Sequence, residues 1–253
     1  GGRGRSASAV KEEDFIEKLL VTNSHDTLLC FSDRGKVYWL RTFQIPIASR
    51  AARGRPVVNI LPLGEGERIT AMLPIEGYGE DQFIFMATAN GTVKKTPLMD
   101  FARPRSSGLI AIELEDDNTL IGASVTDGAS DVMLFSSGGR AIRFKEQDVR
   151  AMGRSARGVR GIKLRASEAV ISLIIPNADG MLLLASQKGY GKRTPVEEFS
   201  VIGRGGQGVI SMKLSERNGS LVGVAQVGSG FEVLLISDQG TMVRTRVDEV
   251  STL

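Results

Sequence analysis

A hairpin turn ending in glycine recurs five times along the chain, and no other feature limits the possible folds so strongly. It stands at Ser32-Asp33-Arg34-Gly35, Thr88-Ala89-Asn90-Gly91, Ser136-Ser137-Gly138-Gly139, Ser186-Gln187-Lys188-Gly189 and Ser237-Asp238-Gln239-Gly240. An apolar run precedes each turn: Leu28–Phe31, Phe83–Met86, Val132–Phe135, Met181–Leu184 and Val233–Ile236. A second set of glycines, Gly4, Gly54, Gly108, Gly158 and Gly208, keeps the same step of about 50 residues. Short apolar runs bounded by Gly, Asn and Asp are strand and hairpin signals, and the terminal glycine supplies a left-handed backbone position.

The cleanest copy, Arg204 to Val250, reads as four strands: Val209–Leu214, Leu221–Val227, Val233–Ile236 and Met242–Val247. Four strands per period of this length predict a radial array of blades. The repeat runs from end to end, so residues 1–253 form one domain, with blades near 1–49, 50–102, 103–153, 154–203 and 204–253. No helix longer than about three turns is expected in such an array. Within the first unit, Gly1 to Ala9 reads as a flexible loop, and Phe15 to Leu20 as a strand preceded by a short helical turn. Prolines 56, 97, 104 and 195 fall at strand starts or ends, where a missing N–H costs least.

Composition narrows the chemistry. The chain has no apolar run near the roughly 18 residues of a membrane span, and its start lacks the apolar core of a secretory signal. A reducing, cytoplasmic setting fits the single cysteine, Cys30, which reads as a small buried hydrophobe within its apolar run. His25, the one histidine, has no partners at the spacing a metal site or histidine-based catalysis needs, and reads as a turn residue. A hydrolase or lyase, which would gather carboxylates, histidines or a metal at a central channel, is disfavoured. Tyr38 and Tyr190 lie on or beside hairpin strands and Tyr78 stands between Gly77 and Gly79, so none reads as a catalytic tyrosine. No catalytic, metal or cofactor site is expected in this chain.

The net charge of +3 conceals segregation within the repeat. The fourth residue after each hairpin glycine is Trp39, Lys95, Arg143, Arg193 or Arg244, a cation in four copies. The sixth includes Arg41, Lys145 and Arg246, and Lys94 and Lys192 lie on the same strands. Residues two apart share a strand face, which predicts one apolar and one charged face, Arg143 and Lys145 pointing outward. An edge strand also carries cations simply to block aggregation. Basic junctions repeat at the same step: Arg3 and Arg5; Arg50, Arg53 and Arg55; Arg103 and Arg105; Arg150, Arg154, Arg157, Arg160 and Lys163; and Arg204. A cationic stripe repeated around a rim suits duplex phosphates, and an aromatic content of 6% argues against stacking on single-stranded bases. The fourth unit has the densest junction and is expected to matter most. A protein-binding propeller is the competing class.

Several segments carry a closer resemblance: Gly1-Gly2-Arg3-Gly4-Arg5-Ser6 followed by Lys11-Glu12-Glu13-Asp14-Phe15, Ala87 to Thr96, Arg150-Ala151-Met152-Gly153 leading into Gly158-Val159-Arg160-Gly161, and Gly189 to Thr194. They resemble the C-terminal domain of the A subunit of bacterial DNA gyrase, over essentially the whole chain. The resemblance implies an all-β pinwheel, a propeller-like disc whose neighbouring blades exchange strands, with duplex DNA bent around a basic perimeter. It implies a non-catalytic role in wrapping DNA so that strand passage elsewhere in the enzyme yields negative supercoils. ATP and Mg would act in other domains, the partners being DNA, the rest of the gyrase A subunit and the gyrase B subunit. It further implies a monomeric isolated domain in the bacterial cytoplasm, at the nucleoid and away from membranes. The topoisomerase IV counterpart is the related alternative. The family has six blades where five hairpins are visible here, and of its heptapeptide Gln-Arg-Arg-Gly-Gly-Lys-Gly only the tail matches, as Gly1, Gly2, Arg3 and Gly4.

Overall fold

Four of the five recurring turns close in the same way in the computed structural model, which describes residues 27–41 and 60–227 and, for strand course only, 232–236 and 242–246. The amides of Gly35, Gly91, Gly139 and Gly189 donate to the carbonyls three residues back, at 3.0–3.1 Å. These glycines sit at φ between +75° and +94°, which L side chains rarely adopt. The side-chain oxygens of Ser32, Thr88, Ser136 and Ser186 accept from the amide four residues on, at 3.2–3.3 Å, satisfying a donor the ladder leaves open. The fifth turn, the first unit's Phe15–Leu20 segment, His25, Gly4 and Gly54 lie outside the described residues.

The hairpins are β1 (Thr27–Ser32) with β2 (Lys36–Arg41), β4 (Phe83–Thr88) with β5 (Thr92–Pro97), β8 (Asp131–Ser136) with β9 (Arg140–Lys145), β12 (Met181–Ser186) with β13 (Gly191–Pro195), and β16 (Glu232–Ile236) with β17 (Met242–Arg246). A third strand follows each of the first four hairpins and pairs antiparallel with its first strand: β3 (Ile69–Ile75), β7 (Leu120–Thr126), β11 (Val170–Ile174) and β15 (Leu221–Val227). Two-residue strands β6 (Leu109–Ile110), β10 (Val159–Arg160) and β14 (Val209–Ile210) complete three sheets. The remaining helical content among the described residues is three short 3-10 turns, at Leu98–Phe101, Glu146–Asp148 and Val196–Glu198.

A sheet is not a contiguous stretch of sequence. β6 follows the second hairpin but pairs with β2 of the first; β10 follows the third but pairs with β5; β14 follows the fourth but pairs with β9. Neighbouring sheets therefore exchange strands. The strand expected over Val209–Leu214 is cut to two residues, because the amides of Ser211 and Met212 both turn onto the carbonyl of Gly139. Ala111 and Ile112 do the same to Gly35, and Gly161 and Ile162 to Gly91. The crossing is so close that a Cβ on Gly139 would meet the Met212 carbonyl at 2.3 Å, which explains a glycine there independently of its φ.

The core lies between successive sheets. Leu29 and Phe31 pack with Ile84 and Met86, while Phe85 and Ala87 face the other way, onto Val132 and Leu134; Met133 and Phe135 then meet Leu182 and Leu184. With both faces covered, the first strand of a hairpin is apolar throughout instead of alternating. Consecutive third strands, β3, β7, β11 and β15, lie beside one another. The short strands β6, β10 and β14 end their sheets on the opposite side. They and the junction loops that feed them form the outer edge.

Candidate nucleic-acid interface

The strand cations turn inward. Lys94, a candidate DNA contact, is wholly buried, and Lys95, expected on the charged face, is nearly so, which corrects both readings. The Lys94 ammonium donates to the carbonyls of Ala111 at 2.6 Å and Arg154 at 2.5 Å, tying down the segment that crosses to the first sheet. Burial, helped by the nearby Arg154 charge and opposed by Asp100, lowers its pKa to about 7. Lys95 lies 4.9 Å above the Phe83 ring and 3.8 Å from the buried carboxylate of Glu146, and it donates to the Glu146 carbonyl at 3.3 Å.

Arg143 is corrected for the same reason. Its side chain is 12% exposed, grips Asp131 at 2.8 Å, and donates to the carbonyls of Val196 and Phe199, each at 3.1 Å. Trp39, the exception among four cations in the sequence, holds the equivalent place: its indole N–H donates to the Phe101 carbonyl at 3.1 Å. Trp39, Lys95 and Arg143 thus share one task. Each reaches from a hairpin's second strand to a carbonyl in or beside the 3-10 turn of the next unit. What the position requires is a long donor, and a charge is incidental to it. Lys192 donates to the Ser211 carbonyl at 3.2 Å, as Lys94 does to Ala111. Arg193 is half-buried on the same strand.

The junction cations have a different fate. Arg103, Arg105, Arg150, Arg157, Arg160, Lys163 and Arg204 are exposed, as are Lys145 and Arg41 at strand ends, whereas Arg154 is half-buried. The loops that hold them are fixed to one another by backbone bonds, Glu113 to Ala156, Gly205 to Gly161 and Lys163 to Gly206. Arg204 reinforces this by donating to the carbonyls of Arg160 at 3.0 Å and Asp148 at 2.9 Å. Arg157 makes exposed ion pairs with Glu113 at 3.2 Å and Glu115 at 3.9 Å, which hold it loosely. Arg3, Arg5, Arg50, Arg53 and Arg55, the segment Gly1, Gly2, Arg3, Gly4, and the side chains of Arg244 and Arg246 lie outside the described residues.

At the second junction the outer edge opens into a groove of about 1160 Å³ whose lining includes Lys36, Arg103, Arg105 and Arg154 with one acid, Asp100. Lys36 escaped the sequence reading, as did Arg140, although each directly follows a turn glycine and so must stand at the strand exchange. Lys36 donates to the Ser107 carbonyl at 3.3 Å and Arg140 to that of Gly208 at 3.3 Å.

Two acids at or beside turns are buried. Glu146 is fully enclosed and accepts from the Thr126 hydroxyl at 2.8 Å and the Ser130 amide at 2.7 Å. Glu67 accepts from the Tyr38 hydroxyl at 2.9 Å and the Gly64 amide at 2.9 Å. Burial pushes the Glu67 carboxyl up, but its hydrogen bonds and the Lys36 charge outweigh this and hold it below the usual carboxylate range. Tyr38 is correspondingly raised, by burial and then by Glu67. Cys30 is buried and its thiol is pushed up to about 12. Among the described residues no group of three or more His, Cys, Asp or Glu is placed to hold a metal ion, and no helix is long and apolar enough to cross a membrane.

Comparison with known proteins agrees with this architecture. The sequence model for the DNA gyrase C-terminal domain, described as a β-propeller, matches residues 26–76, 82–127, 130–177, 180–227 and 232–253. The DNA gyrase A subunit of Salmonella typhimurium strain LT2 is 57% identical over 253 residues, which is 100% of this chain and 29% of that protein. Among solved structures, a DNA gyrase A C-terminal domain superposes with a TM-score of 0.79 at 26% identity, covering 100% of this chain and 83% of the other. The C-terminal domain of DNA topoisomerase IV gives 0.82 at 26%, covering 92% and 73%.

Proposed function

Because the chain belongs to the DNA gyrase C-terminal domain family, we propose that it binds duplex DNA along its outer edge and bends it, so that a larger enzyme supercoils what this domain wraps. The observation that carries the reading is the row of exposed cations in consecutive junction loops: Arg103 and Arg105, then Arg150, Arg157, Arg160 and Lys163, then Arg204. The loops are braced by backbone bonds, so the points from which these side chains reach hold a fixed spacing. Cations carried on a braced backbone can meet successive phosphates without ordering a flexible segment first, and displace counterions as they do so. Arg41, Lys145 and Lys192 are secondary contacts.

In the cell the domain acts within the gyrase A subunit, together with the B subunit, in the bacterial cytoplasm and on the nucleoid. ATP and Mg serve the other domains. The sequence, 57% identical to a gyrase A subunit, favours gyrase over topoisomerase IV. The test is to ligate a nicked circle in the presence of the 253-residue chain and read its linking number. A progressive shift with protein is expected, together with a salt dependence of roughly −0.9 per phosphate contact. An unchanged linking number at saturation would reduce the reading to binding without wrapping.

A further inference from the structure

Two junction arginines do more than carry charge, and they do it in the same way. Arg154 stands four residues before Gly158 and Arg204 four before Gly208, the glycines that precede β10 and β14. From that place each guanidinium reaches back to the preceding outer strand. Arg154 donates to the carbonyl of Ile110 at 3.3 Å, and Arg204 to the carbonyl of Arg160 at 3.0 Å. Ile110 and Arg160 hold the same place, the second residue of β6 and of β10. Both strands end their sheets, and an edge strand presents backbone groups that no further strand pairs. Arg204 spends a second nitrogen, Nε, on the carbonyl of Asp148 at 2.9 Å. The carbonyl of Arg154 is itself held, by the Lys94 ammonium at 2.5 Å.

Each of these bonds spans two sheets. β6 ends the sheet of the first hairpin, while the loop of Arg154 runs into β10, which ends the sheet of the second. Arg204 joins the second sheet's edge to the loop that enters the third's. We propose that Arg154 and Arg204 are latches that fix the offset between neighbouring outer edges, and so set the pitch at which the duplex passes from one junction loop to the next. They are positioning residues for wrapping. The inference rests on the DNA reading above and assigns these two arginines the shape of the path, beyond a share in its charge. A duplex held at successive loops follows their placement: level loops guide a flat turn, and stepped loops guide a helical one, whose writhe a ligated circle records. Backbone bonds between the same segments, Glu113 to Ala156 and Gly205 to Gly161, would by themselves leave a hinge. A planar guanidinium bonded to further carbonyls fixes its angle.

The test compares the whole parent chain with Arg154→Met plus Arg204→Met, with Arg154→Lys plus Arg204→Lys, and with Arg103→Ala plus Arg105→Ala. Methionine keeps an apolar stem and removes the donors. Lysine keeps both charges but offers one nitrogen where Arg204 uses two. The alanine pair removes as much charge from side chains that form no ion pair among the described residues. Each form is followed by thermal unfolding, by salt titration of duplex binding, and by the linking-number change of a ligated nicked circle at saturating protein. The methionine form should give a smaller linking-number change per bound domain, with a melting temperature near the parent's. Its salt slope should fall by at most roughly 0.9, for the one phosphate that the remaining nitrogen of Arg204 can meet. The lysine form should keep the parent's slope and still give the smaller linking-number change. The alanine form should do the reverse, lowering the slope by roughly 0.9 for each phosphate lost while each bound domain shifts the linking number as the parent does. A methionine form that matches the parent's linking-number change overturns the latch, and so does full rescue by lysine, which would make charge the whole requirement. If the methionine form does not fold, the lysine form decides by the same two readings. A parent that binds no DNA overturns the underlying reading instead.

Discussion

Strand β5 and the loop that follows β9 are among the most basic stretches of the molecule, and their cations do opposite work. In β5, Lys94 and Lys95 are buried and spend their protons on carbonyls of neighbouring units. In the loop and just beyond β10, Arg150, Arg157 and Lys163 are exposed, on a backbone held by other groups. A cation contributes to folding where strand exchange brings an unpaired carbonyl within reach, and is free to meet an external anion where the backbone has already satisfied itself. The comparison predicts that equal losses of charge in the two regions will have unequal consequences, for stability in one and for DNA affinity in the other.

The largest effect should come from Glu146→Ala, which strips the Lys95 ammonium, the Thr126 hydroxyl and the Ser130 amide of one shared acceptor in the interior. Leaving a buried charge unpaired typically costs about 3–5 kcal/mol. Equilibrium urea unfolding measures it, and a loss under about 1 kcal/mol would mean that water already solvates the site. Arg143→Met comes next. It abolishes the grip on Asp131 and the bonds to Val196 and Phe199, for a loss of about 1.5–3 kcal/mol, with the salt slope of DNA binding unchanged. A slope that drops along with stability would return Arg143 to the interface. Trp39→Phe keeps the ring and removes only the indole donor to Phe101; about 1 kcal/mol is expected, and no change in unfolding free energy would show that this donor is dispensable.

Lys94 sharpens the comparison through pH. Its folded-state pKa of about 7 lies below the ordinary 10.5, so above pH 7 the folded chain binds fewer protons at this site than the unfolded chain. This contribution to stability rises as pH climbs from about 7 toward 10.5, and is lost again as pH falls back to 7. Unfolding measured across that range should flatten in Lys94→Met, and parallel profiles for the two proteins would show the lysine to be better solvated than its burial implies. The smallest effect on folding belongs to the loop. Replacing Arg150, Arg157 and Lys163 by alanine should leave the unfolding midpoint where it was while lowering the salt slope by roughly 0.9 for each phosphate no longer met. If stability falls and affinity holds, the two regions have been assigned the wrong way round.

The five hairpins were legible because a hairpin is a local object. Its turn closes over four residues, its glycine must be left-handed wherever the chain packs, and its first strand is apolar throughout because, as in β4 and β8, neighbouring sheets cover it on both sides. For Gly35, Gly91, Gly139 and Gly189 the backbone angles agree with the motif. The second set of glycines was legible only as a period. That Gly108, Gly158 and Gly208 open strands belonging to earlier sheets depends on close passage beneath residues far away in sequence: a Cβ on Gly208 would meet the carbonyl of Ala141 at 2.2 Å. The sequence by itself determined the repeat, the turns, the apolar strands and the abundance of cations along the chain. Only the tertiary structure decided which cations are interior donors and which face outward. Burial is set by whatever packs against a side chain, and for Lys94 that is the carbonyl of Ala111 in one exchanged segment and of Arg154 in the next. A lysine reads the same in a sequence whether its ammonium meets water or a carbonyl; strand exchange makes the difference.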